Sequence, residues 1–276
     1  MKGSFSTLII ALLLVACAPV EIIQQEPNKP ATQTAPHLPY ISIIIDDIGN
    51  DLAIGKRILQ LPYPITLSIL PHTPHSQTLH QLAYQLNKEL MLHLPMQALH
   101  NNRYLGPGSL TLNMSEQQFR RTLRENLQSL PDAIGVNNHM GSLLTSQQKP
   151  MNILMEELAN WGTLFFIDSR TTAKTIAYQS AIQHGLAAQS RDLFLDNRQD
   201  EDYIRQQFQL LIKKAKENGS ALAIAHPHTS TINVLESELE QLHKAGVNII
   251  PVSQHVAYQQ RQQEALNPPP HTDVHP

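Results

Sequence analysis

The stretch ISIIIDDIGND, residues 41–51, decides how the rest of the chain is read. Ile41 to Ile45 is apolar on nearly every residue rather than on alternate ones, as a strand covered on both faces must be. Two carboxylates, Asp46 and Asp47, follow at once, and Asp51 stands where a helix N-cap is expected, so the segment reads strand, polar turn, helix. The same order recurs downstream. Apolar runs at Ile65–Leu70, Leu90–Leu94, Ile134–Asn137, Leu164–Ile167, Leu193–Leu195, Ala221–Ile224 and Asn248–Val252 alternate with helical patterns. Ser115 and Gln118 form a capping box ahead of the stripe Phe119, Leu123, Leu127, Leu130. Met151, Leu154, Met155 and Leu158 make a second stripe, and a helix from about Asp202 ends at Asn218-Gly219. Seven or eight such β/α units between residues 39 and 258 favour one α/β domain, a closed or partly closed barrel rather than an open sheet.

Outside residues 39–258 the composition changes. Lys2, an apolar run from Leu8 to Ala16 and then Cys17 read as a signal peptide over residues 1–17, too short for a spanning helix. Leu14-Val15-Ala16-Cys17 resembles a bacterial lipobox, which makes Cys17 the expected lipidation site and the protein exported, periplasmic and anchored to a membrane. Ala18 rather than Asp follows the Cys, a feature that in similar Gram-negative lipoproteins permits transfer to the outer membrane. Residues 18–38 read as a Pro-, Gln- and Thr-rich tether, and residues 259–276 as an unstructured tail. With a net charge of -3 and a pI near 6.5 there is no basic footprint, so nucleic acid is not an expected partner.

Sites on such folds lie at the C-terminal ends of strands. Reading those positions in order gives Asp46-Asp47, His72, His93, Asn137-Asn138-His139, Asp168-Ser169-Arg170, Asp196-Asn197 and His226-Pro227-His228. Ionisable groups gathered at one end of nearly every strand suit metal-assisted hydrolysis, since a divalent ion held by one carboxylate and two neutral imidazoles keeps a position open for water. Consecutive strand residues point in different directions, so one of Asp46 and Asp47 is expected to hold metal while the other accepts a proton. Asp168 and Arg170 are expected to pair and orient a neighbour. Only 5% of the residues are aromatic and there is one Trp, so no sugar-stacking platform is evident.

From about Leu38 to Val256 the chain resembles the divergent polysaccharide deacetylases, distant relatives of carbohydrate esterase family four. The resemblance rests on IIIDDIGND (43–51), TLSILPH (66–72), MLHLPM (91–96), GVNNHMGS (135–142), FFIDSRTTA (165–173), RDLFLDN (191–197), AHPH (225–228) and IIPVS (249–253), in that order. It implies a deformed (β/α) barrel of seven to eight mostly parallel strands and a metal site, Zn being the first expectation. It also implies Asp46 as catalytic base, Asp47 as ligand, and His226 as the histidine that protonates the leaving amine. The family's two metal histidines lie four apart; here His93 has Gln97 at that spacing, so His93 and His139 are taken as the ligands. The expected activity is removal of N-acetyl or similar acyl groups from an envelope glycan or a small acylated sugar. The broken motif keeps open a non-catalytic binding or regulatory protein on the same fold, and the scissile bond could also belong to a peptide or another ester.

Overall fold

The computed structural model describes residues 38–266. The signal peptide, Cys17, the tether up to residue 37 and residues 267–276 lie outside the described residues. Among the described residues nine strands form: β1 (Tyr40–Ile48), β2 (Thr66–Ile69), β3 (Leu90–Met96), β4 (Gly135–Met140), β5 (Phe165–Asp168), β6 (Ala188–Ser190), β7 (Leu193–Phe194), β8 (Ser220–Ala225) and β9 (Asn248–Ile249). Eight helices accompany them: α1 (Leu52–Leu59), α2 (Ser76–Gln85), α3 (Glu116–Ser129), α4 (Gln148–Trp161), α5 (Ala177–Gln183), α6 (Glu201–Asn218), α7 (Thr229–Leu239) and α8 (Val252–Leu266). The punctuation read from the sequence is in place. Asp51 Oδ1 accepts from the backbone N–H groups of Ala53 and Ile54 to start α1, and Ser115 with Gln118 closes the box at α3. Gly219, at φ 83°, ends α6 in the left-handed region.

Every strand pairing is parallel, and the order is β6-β5-β4-β3-β2-β1-β8-β7, with β9 pairing the start of β1. The two edge strands are joined by only Arg191 and Asp192. Three residue steps reach at most about 11 Å, so the sheet must curl until its edges meet. The result is a deformed (β/α) barrel with an unpaired seam between β6 and β7. No helix intervenes there, and β6 is absent from the sequence reading because Ala187-Ala188-Gln189-Ser190 carries no apolar run.

Alternation sorts the strand residues. Ile41, Ile43, Ile45, Leu92, Leu94, Ala221 and Ala223 face outward into the core shared with α1 to α7. Ile44, Met91, Phe165, Ile167, Leu222 and Ile224 face inward, where Val252 and Val256 of α8 plug the barrel. Each buried Ile, Leu, Val, Met or Phe among them contributes about 1.5–3 kcal/mol. The plug is also bonded in: Ser42 Oγ donates to the Ile250 carbonyl, and the N–H of Val252 donates to Thr66 Oγ1. Beyond the apolar layer, toward the C-terminal ends, the inward positions turn polar: Asp46, Ser68, His93 and Asn137 are all buried.

The expected tail is corrected at one end. Helix α8 runs on to Leu266, so residues 259–266 are helical. Gln, Arg, Glu and Ala there are good helix formers, and the run meets no breaker before Pro268. Among the described residues no helix is long and apolar enough to cross a membrane.

Candidate metal centre

The geometry begins with an irregularity in β1. Ile45 pairs with Leu67 and Ile48 with Ile69, so three steps on β1 match two on β2, and the extra residue forms a bulge. Asp47 takes up the distortion at φ 56°, a left-handed conformation that is less costly for Asp than for most residues. The bulge brings both carboxylates to one imidazole. His93 Nε2 lies 3.1 Å from Asp47 Oδ1 and 3.6 Å from Asp46 Oδ2. This corrects the expectation that adjacent residues leaving the strand would diverge; simple alternation fails where the backbone is bulged.

The protonation of the two imidazoles is set by their outer partners. His93 Nδ1 is 2.9 Å from the amide oxygen of Asn137, which only accepts, so Nδ1 carries a proton, and in the neutral ring Nε2 presents a lone pair. The Asn137 amide is itself fixed: its oxygen accepts from Ser68 Oγ at 2.6 Å, and its nitrogen donates to Asp46 Oδ1 at 2.8 Å. His139 Nε2 lies 3.1 Å from the Tyr104 carbonyl oxygen, so it too carries a proton, and in the neutral ring Nδ1 is bare at 2.9 Å from Asp47 Oδ1.

Three ligand-type atoms from Asp47, His93 and His139 therefore lie within 4.8 Å of one another. Asp47 Oδ1 is buried yet receives no hydrogen bond of good geometry. With both rings neutral, two lone pairs face the carboxylate oxygen and repel it, so a proton or a cation must lie between them. A divalent cation satisfies all three at once, and two imidazoles with one carboxylate form the kind of set that leaves a coordination position open. Burial alone would push the Asp47 carboxyl up, but His139 and His93, when they carry a proton toward it, outweigh burial and hold the group well below the usual carboxylate range. Gln97 faces away, its Oε1 accepting from the Leu112 N–H.

A second pair stands beside this set. The register Ile45–Ala225 places Asp46 level with His226 one step further along. His226 Nδ1 is 2.9 Å from Asp196 Oδ1, while Asp196 Oδ2 accepts from the His226 N–H and from Thr231 Oγ1. Burial disfavours the imidazolium, but Asp196, helped by Asp46 and Asp47, raises its pKa to about 9. Asp196, Asn137 and the Tyr104 carbonyl are the members that the sequence reading did not assign. The one available signal was that Asp196 and Asn137 end apolar runs.

The divergent polysaccharide deacetylase family model matches residues 43–256, most of the barrel and every group just described. The chain belongs to the divergent polysaccharide deacetylases. This deacetylase-family chain is 36% identical over 202 residues to the uncharacterized protein YibQ of Escherichia coli (strain K12), a match covering 73% of this chain and 63% of that one. It thus spans less than two thirds of that relative's length. An uncharacterized protein of Agrobacterium tumefaciens C58 shares the fold, with a TM-score of 0.76 at 19% identity over 80% of this chain and 91% of that one. A Bacillus anthracis protein described as a CE4 family pseudoenzyme has a TM-score of 0.53 at 12% identity over 81% and 67% of the two chains.

Other strand-end groups of this deacetylase fold serve the scaffold. Asp168 accepts from the backbone N–H groups of Arg170 and Tyr178 and from Thr175 Oγ1, tying down the loop after β5. The expected Asp168–Arg170 side-chain pair is therefore corrected to a backbone contact; Arg170, at φ 49°, turns its own N–H toward the carboxylate. His72 is tied to α3 through Asn126. His228, 3.2 Å from the Gln199 amide nitrogen, belongs with Asp196 and His226 to a second close group of ligand-type atoms, but both Asp196 oxygens are already taken by donors.

The dyad predicts a pH-dependent stability. A histidine whose folded pKa is raised stabilises the fold fully below its unfolded value of about 6.5 and loses that contribution as pH rises through about 9. Asp196→Asn is expected to cost about 2 kcal/mol at pH 6, and little of that above pH 9.5. Melting curves at the two pH values check this; an equal loss at both would mean that Asp196 acts only as a backbone clasp.

Proposed function

We propose that this divergent deacetylase is a metal-dependent hydrolase that removes N-acetyl or similar acyl groups from an envelope glycan or a fragment of one. The observation that carries the reading is the buried Asp47 Oδ1 without a hydrogen bond of good geometry, faced by ring nitrogens of His93 and His139 from different strands, with Asp46 beside it. Asp47, His93 and His139 would hold the cation. Zn²⁺ is the first candidate, although Co²⁺, Ni²⁺, Mn²⁺ and Fe²⁺ accept the same donors. When bound, such an ion supplies Lewis acidity and eases deprotonation of water near neutral pH.

The chain's own residues do the rest. Asp46 accepts the proton of the attacking water; burial raises its carboxyl above the usual range, while His93 and His226 pull the other way. The Asn137 amide joins Asp46 to His93, fixing the base relative to a ligand. His226, oriented by Asp196 and protonated at neutral pH, donates to the departing nitrogen. Acetate release from envelope fragments, measured beside metal content in the wild type and in Asp46→Asn, tests the scheme. Tight metal binding with no acetate or other product favours the second reading, a non-catalytic glycan-binding protein. That reading draws support from Gln97 in place of the family's second metal histidine.

Anchoring at Cys17 on the periplasmic side of the envelope completes the proposal, because a lipid on that residue would hold the enzyme near its polymer. Labelled fatty acid is expected in the wild type and not in Cys17→Ser; equal labelling of both would rule out that anchor.

A further inference from the structure

We infer that Tyr104 is a sugar-stacking platform at the mouth of the metal centre. The inference deepens the hydrolase reading by taking a saccharide as its ligand. The segment between β3 and α3 holds a 3-10 turn, Asn102–Tyr104, entered through Asn101 at φ 61°, a left-handed conformation that Asn tolerates. Its base is fixed: Asn102 exchanges two hydrogen bonds with the backbone of Ala98, and the Leu99 N–H donates to Ser142 Oγ.

This turn puts the two parts of Tyr104 to different uses. The backbone carbonyl accepts from His139 Nε2 at 3.1 Å, so the residue stands one imidazole away from the metal-facing nitrogen. Tyr104 is 61% exposed, an aromatic residue left open to solvent on the segment that contacts His139. Arg103 braces it, donating from Nη2 to the Tyr104 hydroxyl at 2.9 Å, with its guanidinium carbon 4.7 Å from the ring centre. Leu99, 55% exposed on the same segment, adds apolar surface. An electron-rich ring face attracts partly positive C–H groups, and one face of a pyranose is lined with them. A sugar lying on Tyr104 would sit on the residue whose carbonyl holds the ring of His139. The low aromatic content of the sequence hid this, since a platform needs one well-placed ring.

The division between carbonyl and ring makes the test clean. The full-length, zinc-loaded protein is titrated with a β-1,4-linked tetramer of N-acetylglucosamine, for the wild type, Tyr104→Phe and Tyr104→Ala, and zinc affinity is measured for each. Zinc affinity should be the same in all three, because every variant keeps the carbonyl. Tetramer affinity should hold within about twofold in Tyr104→Phe and fall about tenfold in Tyr104→Ala. Wild-type tetramer affinity in Tyr104→Ala, no tetramer binding by the wild type, or zinc lost together with sugar would each overturn the platform. Acetate release reports separately on hydrolysis: a wild type that stacks the tetramer on Tyr104 but releases no acetate keeps the platform and sinks the hydrolase.

Discussion

Asp47→Asn should weaken zinc binding sharply while leaving the barrel folded. Asn has nearly the same volume and tolerates the φ of 56° that the bulge demands, so the backbone has no cause to rearrange. What disappears is the negative charge that the His93 and His139 nitrogens face. Asp47 is the one anionic ligand of the three, so its loss is expected to weaken zinc affinity at least about 100-fold. Competition with a chromophoric chelator reads this, and the apo melting temperature serves as the control for folding. A variant that still takes up one equivalent of zinc with wild-type affinity would move the ion elsewhere, and the Asp196, His226, His228 group would be the place to look.

Asp46→Asn should behave in the opposite way, keeping metal and losing turnover. Asp46 Oδ2 sits 3.6 Å from His93 Nε2, further than the Asp47 contact, and its other oxygen is taken by the Asn137 amide. An Asn side chain can preserve that contact through its own carbonyl oxygen, so zinc affinity is expected to stay within about tenfold. Removing a general base costs about 10²–10⁴ in rate, and acetate release is expected to fall by that factor. The rate should decline at low pH as Asp46 gains a proton. It should decline again at high pH as His226, whose pKa is raised to about 9, loses its own. Unchanged acetate release in Asp46→Asn would remove it from the chemistry and leave the attacking water without an assigned base.

The barrel was legible because parallel strands buried on both faces have few places for polar groups except their ends. Ile41–Ile45 and Ala221–Ile224 announce such strands; Asp46-Asp47 follow the first at once and His226 follows the second after Ala225. Weak local signals were lost. Ala188–Ser190 joins the sheet because Phe166 and Ile167 offer it an open edge, not because its residues favour a strand. The end of α8 is the converse case, a polar Gln-rich segment whose helix propensity outlasts its packing, with residues 261–266 exposed.

For the site, the sequence by itself determined which side chains stand at the C-terminal ends of the strands, because period and punctuation are local properties of the chain. Only the tertiary structure decided which of them meet. Asp47 faces the same ring as Asp46 through a bulge defined by the partner strand β2. His139 meets Asp47 while Gln97 turns away, and Asp196 clasps His226 across 30 residues. Such pairings depend on strand register and the sign of one backbone angle. Both are set by neighbours distant along the chain, so no window of sequence contains them.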